Sequence, residues 1–257
     1  MDKKELIRRA NDPKYISGIY NYCDRWCERC ALTDRCLNYE MEEEENAEAG
    51  KSGGGDKLWD HLHESLKTAM ALLEDLAEEM GIDLEAIDGE KEAGADNKVH
   101  ILSQMSRRYI HAVDTWLEDR QDLVTGLLKD QKERAHLKVV GPEADKAPVS
   151  LGEAVEVILY YKYLISAKLA RAIQGKDDEA DLDLEDFPKD SDGSAKVALI
   201  GIDRSISAWG ALLQYFPEQK SELVKRIGFL KQIRDVTEKE FSNARAFVRP
   251  GFDEDVS

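Results

Sequence analysis

Apolar residues recur at steps of three and four through most of this 257-residue chain, and no alternating stretch is long enough to read as a strand. That rhythm lines side chains along one face of a helix, whereas strands need a period of two, so the expected fold class is all-α. Five helical patterns follow residue 56. The first carries Leu58, Leu62, Leu66, Ala69, Leu73, Leu76 and Met80 and stops at Gly81. The second, with Leu102, Tyr109, Val113, Trp116, Leu123 and Leu127, runs from about residue 97 into the 130s and is expected to be the longest. Gly141, Pro142 and Pro148 break the chain after it.

Ser150 and Glu153 have the spacing of a capping box and open a third helix that runs to Gly175. Its Val155, Val157, Ile158, Leu159, Leu164 and Ile165 cannot all face one neighbour, so this helix belongs at the centre. An acidic loop at 176–193 leads to a fourth helix over 194–216, and Pro217 suits the first turn of a fifth that ends near Asn243. Short connections favour antiparallel neighbours, and the expectation is a bundle of four or five main helices over residues 57–243. Ahead of it, residues 1–40 form a cysteine-rich unit. Residues 41–56 join an acidic run to three glycines and read as a linker. Residues 244–257 form a tail that mixes aromatic and cationic groups and is expected to dock on the protein's own surface, with a partner as the alternative.

The net charge is −17, yet residues 1–36 hold eight Lys and Arg against six Asp and Glu, so the acidity lies in the remainder. Such a body repels phosphate backbones and anionic lipid, which disfavours nucleic acid and membrane surfaces as partners and leaves a protein partner open. No apolar run reaches membrane-spanning length and the first residues lack an apolar signal core, so the reading is cytoplasmic. In a reducing compartment, clustered cysteines point to metal ligands or redox groups before permanent disulfides.

All four cysteines, Cys23, Cys27, Cys30 and Cys36, fall in one short segment. Four thiolates are the donor set of a structural zinc site or an iron–sulfur cluster. On an unbroken helix Cys23 and Cys30 would stand about 10 Å apart in rise, too far for one tetrahedral ion. Either the helix breaks near Cys27 to Cys30, with Thr33 and Asp34 reversing the chain toward Cys36, or the thiols surround a larger cluster. The roomier spacing favours iron–sulfur over zinc. Arg25, Arg29 and Arg35 would offset thiolate charge, and Tyr22 and Trp26 would exclude water. Two other readings stay open: thiols that merely pack as small apolar groups, and redox-active or disulfide-forming cysteines.

The first three cysteines share the Cys-x3-Cys-x2-Cys spacing of radical S-adenosylmethionine enzymes, but the alternating strands and helices of that barrel are absent and a fourth cysteine follows. The run IYNYCDRWCERC at 19–30, with IDRSISAW at 202–209, resembles a group of uncharacterised bacterial helical proteins. That resemblance brings no established activity and no catalytic residue.

Lys162 falls on the apolar side of the third helix, where an unpaired ammonium is costly, and Asp203 and Arg204 interrupt an apolar run in the fourth. Glu156, Lys162, Asp203 and Arg204 are therefore a candidate buried polar network, read first as a structural lock and second as the pocket of a bundle oxidoreductase. A carboxylate-bridged di-iron site is the sharper enzymatic alternative. Only Glu133 with His136, and Asp60 with His63, approach its motif, and both histidines are expected to face solvent. His100 and His111 read as structural or exposed. No phosphate loop or nucleophile elbow is present, so the chain's status as an enzyme stays open.

Overall fold

The computed structural model describes residues 3–49, 67, 70–71, 100–122, 124–126, 150–182 and 189–253. Among them every regular element is helical and none is a strand, as the periodicity predicts. The first helical pattern lies almost wholly outside the described residues, as do Asp60, His63, Glu133 and His136. The chain divides into two compact units, Met1–Lys98 with Arg249–Ser257, and Val99–Val248.

The second unit is a helical bundle built on α3 (Ile101–Glu118), α4 (Leu151–Leu182), α5 (Asp190–Leu212) and α6 (Lys220–Glu240). The α4–α5 interface is the most extensive, and α3 packs on α4 and α6 while α5 packs on α6, closing a ring of four. Across its diagonal, the Trp209 indole N–H donates to the Tyr109 hydroxyl at 3.0 Å. Trp116 meets Trp209 and Phe216 edge to face at 5.1 and 5.4 Å. Gly201 lets α5 approach α4 closely: a Cβ there would sit 2.9 Å from Tyr161 and 3.1 Å from Ile165. Both neighbours are fully buried, so neither can swing away.

Local signals explain most boundaries. Ser150 and Glu153 exchange the two bonds of a capping box, Ser150 N–H to the Glu153 carboxylate at 2.9 Å and Glu153 N–H to the Ser150 hydroxyl at 3.1 Å. His100 caps α3, its Nδ1 accepting from Leu102 N–H at 3.2 Å, while His111 is exposed. Pro217 opens a single 3-10 turn, Pro217–Gln219, that leads into α6.

Three boundaries depart from expectation. Helix α4 passes through Gly175 to Leu182 and is the longest described helix. Gly175 is an approach point rather than a stop, since its missing Cβ would lie 3.5 Å from the Ser191 backbone. Helix α5 begins at Asp190, four residues early, with Asp190 and Asp192 in the first turn, where the helix dipole favours acid. The acidic run assigned to a linker is largely helical, in α2 (Leu37–Ala49).

In the first unit, α1 (Lys3–Ala10) and the loop after it are tied to α2 by ion pairs. Arg9 bonds Glu44 at 2.8 Å, and Lys14 pairs with Glu40. These contacts give the acidic helix partners that a free linker would lack. No helix among the described residues is long and apolar enough to cross a membrane.

Candidate metal centre

No continuous helix carries the cysteines. The chain folds as three single 3-10 turns, η1 (Ile19–Asn21), η2 (Cys27–Arg29) and η3 (Thr33–Arg35), with bends between them. Arg25 takes a left-handed backbone, φ 60°, which costs a non-glycine residue about 1 kcal/mol or more. The Asp24 carboxylate accepts from Trp26 N–H at 3.3 Å and supports that bend. Cys30 is extended after its N–H closes onto the Cys27 carbonyl, and Cys36 does the same after bonding Thr33. The expected break after Cys27 is therefore present, and a second one precedes it.

As a consequence all four cysteines line one small cavity, about 20 Å³, walled by Ile19, Trp26, Tyr39 and Phe252 among others. None of the four forms a disulfide, and each is half-buried. That exposure argues against simple core packing, because unligated cysteine used as an apolar filler is among the most deeply buried of residues. Two sulfurs make local bonds: the Cys23 thiol donates to the Tyr20 carbonyl at 3.5 Å, and Cys30 Sγ accepts from Leu32 N–H at 3.4 Å. A backbone N–H aimed at sulfur is the kind of contact that supports metal-bound sulfur. At Cys27, burial first, then Cys23, Glu42, Cys36 and Cys30, push the thiol up to about 11.

The donor set fits a four-thiolate site in kind and number. The sulfurs would have to close in to make a coordination sphere, for among the described residues no three His, Cys, Asp or Glu side chains form a group that could hold an ion as they stand. Of the three arginines expected nearby, Arg25 lines the cavity, Arg29 lies over the Trp26 ring at 4.1 Å, and Arg35 reaches back to the Lys14 carbonyl at 3.5 Å. Trp26 lines the cavity, and Tyr20 and Tyr39 line it where Tyr22 does not. Tyr39 and Phe252 lie outside the cysteine run, and no spacing within it points to them.

Of the four polar residues of the bundle, Lys162 and Asp203 are held in separate ion pairs. Lys162 is buried and pairs with Asp114 of α3, while Asp203 is part-exposed and pairs with Arg245 at 2.8 Å and Arg234 at 3.5 Å. Arg204 bonds the Tyr161 hydroxyl, and Glu156 is exposed. The residues separate because Lys162 lies on the α3 side of α4, whereas Asp203 faces α6 and the segment after it. A shallow depression at Glu118, Asp119, Arg120, Gln121, Asp122 and Gln219 offers no free anion site, since Arg120 already bonds Gln219 and Glu222.

Fold and site together define an all-α protein with a helical bundle and a four-cysteine pocket in its N-terminal unit. Comparison with protein-family models, with curated proteins and with solved structures finds no match to the chain.

Proposed function

We propose that Cys23, Cys27, Cys30 and Cys36 hold a single tetrahedral metal ion, zinc, which organises the N-terminal unit in a structural role. The observation that carries this reading is the convergence of four half-buried thiols, none in a disulfide, on one cavity. The breaks at Arg25 and between the 3-10 turns remove the helical spacing that favoured a larger cluster. Bound in the cavity, zinc would neutralise thiolate charge and cross-link a segment with little regular structure of its own. Trp26 and Tyr39 would exclude water, and Arg25 would offset the remaining negative charge. Four thiols outside any disulfide suit a reducing compartment such as the cytoplasm.

The test is metal and sulfide analysis of the full chain purified without oxygen, beside the Cys27→Ser variant. About one zinc per chain, lost in the variant, is the expected result. Iron with acid-labile sulfide would replace zinc by an iron–sulfur cluster and the structural role by electron transfer to a partner protein. A chain that takes up no metal would leave a helical interaction module. The bundle oxidoreductase has less support, because Lys162 and Asp203 are engaged in separate ion pairs.

A further inference from the structure

Eleven of the twelve residues around the cysteine cavity come from positions 19–39, and the twelfth, Phe252, comes from the far end of the chain. Phe252 is presented by a stiff turn. Pro250 precedes Gly251, whose φ of +75° and the Phe252 N–H bond to the Arg249 carbonyl at 3.1 Å are those of a type II turn. Arg249 then clamps the turn from within: its backbone N–H and Nε each reach Asp253 Oδ2 at 3.0 Å, and Nη2 reaches Oδ1 at 2.9 Å. The same guanidinium lies 4.9 Å from the Phe252 ring centre. With side chains only 15% and 23% exposed, this fork is better shielded than an ordinary surface ion pair. Gly251 seats the turn against the cysteine segment, since a Cβ there would lie 2.7 Å from Ile16 and 3.4 Å from Ile19.

We propose that the turn at 249–253 is the closing wall of the cysteine site, and that Phe252 slows the approach of metal ions and thiol reagents to the sulfurs it covers. The inference rests on the metal reading only for the identity of the cargo; the wall itself is a statement about access to the four thiols. Gly251→Ala strains the left-handed backbone and pushes against the end of the Ile16 side chain, so it loosens the turn. Phe252→Ala removes the wall and leaves the turn intact. Phe252→Leu keeps an apolar cover.

The experiment measures the rate at which a coloured aromatic disulfide reagent titrates the four thiols of the reduced, metal-free full chain. In parallel, a chromogenic chelator measures zinc release from the loaded chain. Gly251→Ala and Phe252→Ala are expected to speed the slowest-reacting thiol about tenfold or more, with Phe252→Leu close to the native rate, because reaction of a covered group follows the population in which its cover is open. Unchanged titration in both Gly251→Ala and Phe252→Ala overturns the wall, even if zinc binds. Faster titration in a chain that takes up no zinc upholds the wall and removes the metal reading instead.

Discussion

Asp114 on α3 holds the ammonium of Lys162 on α4, and the two are unequally sheltered, with the lysine side chain 7% exposed and the aspartate 34%. Burial opposes the charge on Lys162, and the hydrogen bond and attraction of Asp114 outweigh it, so the lysine is held above its ordinary value. Asp114→Ala should destabilise the bundle by about 2 kcal/mol, since it strands a desolvated cation. Lys162→Met should cost less, because the remaining carboxylate still reaches water. The raised lysine also sets a pH dependence. Its stabilisation is complete below the unfolded value near 10.5 and disappears as pH climbs through the higher folded value. Urea unfolding between about pH 8 and 11 should show native stability falling toward that of Lys162→Met at the alkaline end.

Two glycines of the same helix should respond in opposite directions. Gly201→Ala places a methyl 2.9 Å from Tyr161 and 3.1 Å from Ile165, and overpacking of this kind costs about 1–3 kcal/mol, more than the helix-propensity gain returns. Gly210→Ala meets nothing within 4 Å, so only the propensity gain remains, about 0.5–1 kcal/mol of added stability. Thermal melts of the two variants check the sign of each. Equal shifts would mean that the α4–α5 crossing is looser than described.

The helices and the capping box were legible because they depend on neighbours in sequence: Ser150 and Glu153 satisfy each other's backbone three residues apart. Gly175 misleads for the opposite reason. The helix continues through it because Ser191 packs alongside and, one residue on, Lys176 bonds Glu240 of α6, and neither contact is visible in a local window. The acidic residues after Met41 likewise read as a repelling linker until Glu44 finds Arg9 of α1, distant in sequence. At the candidate site, spacing brought the four thiols together as a set. It could not reveal that Arg25 turns left-handed or that Phe252 supplies a wall, since one is a strained backbone and the other a contact across the length of the chain. The need of Lys162 for a partner followed from its apolar surroundings, but the identity of that partner depended on α3.

Tyr109 is a fully buried phenol whose oxygen accepts the Trp209 indole N–H, and burial pushes its ionisation up to about 12. Tyr109→Phe keeps the ring and removes the acceptor, leaving a buried donor without that bond, which should cost about 1–2 kcal/mol. The Trp209→Phe, Tyr109→Phe double variant removes both polar groups and should lose less than the sum of the two single changes. Denaturation of the four members of this cycle gives the coupling directly, and additive losses would show that the bond contributes little.

Asp203 bridges Arg234 of α6 and Arg245 just beyond it, joining the end of the bundle's last helix back to α5. A fully buried aspartate in that role would lose about 3 kcal/mol or more on neutralisation, as its place in an apolar run suggests. Its side chain is 40% exposed, however, and both arginines keep contact with water, so solvent screens the pair. Asp203→Asn should therefore lower stability by only about 1 kcal/mol or less, and the loss should shrink further in about 0.5 M salt. A salt-independent loss several times larger would place Asp203 in a drier environment than its exposure indicates. Arg245→Ala should reproduce the effect, because Arg245 also bonds Glu238 at 2.8 Å and is the residue through which Asp203 fastens the segment after α6.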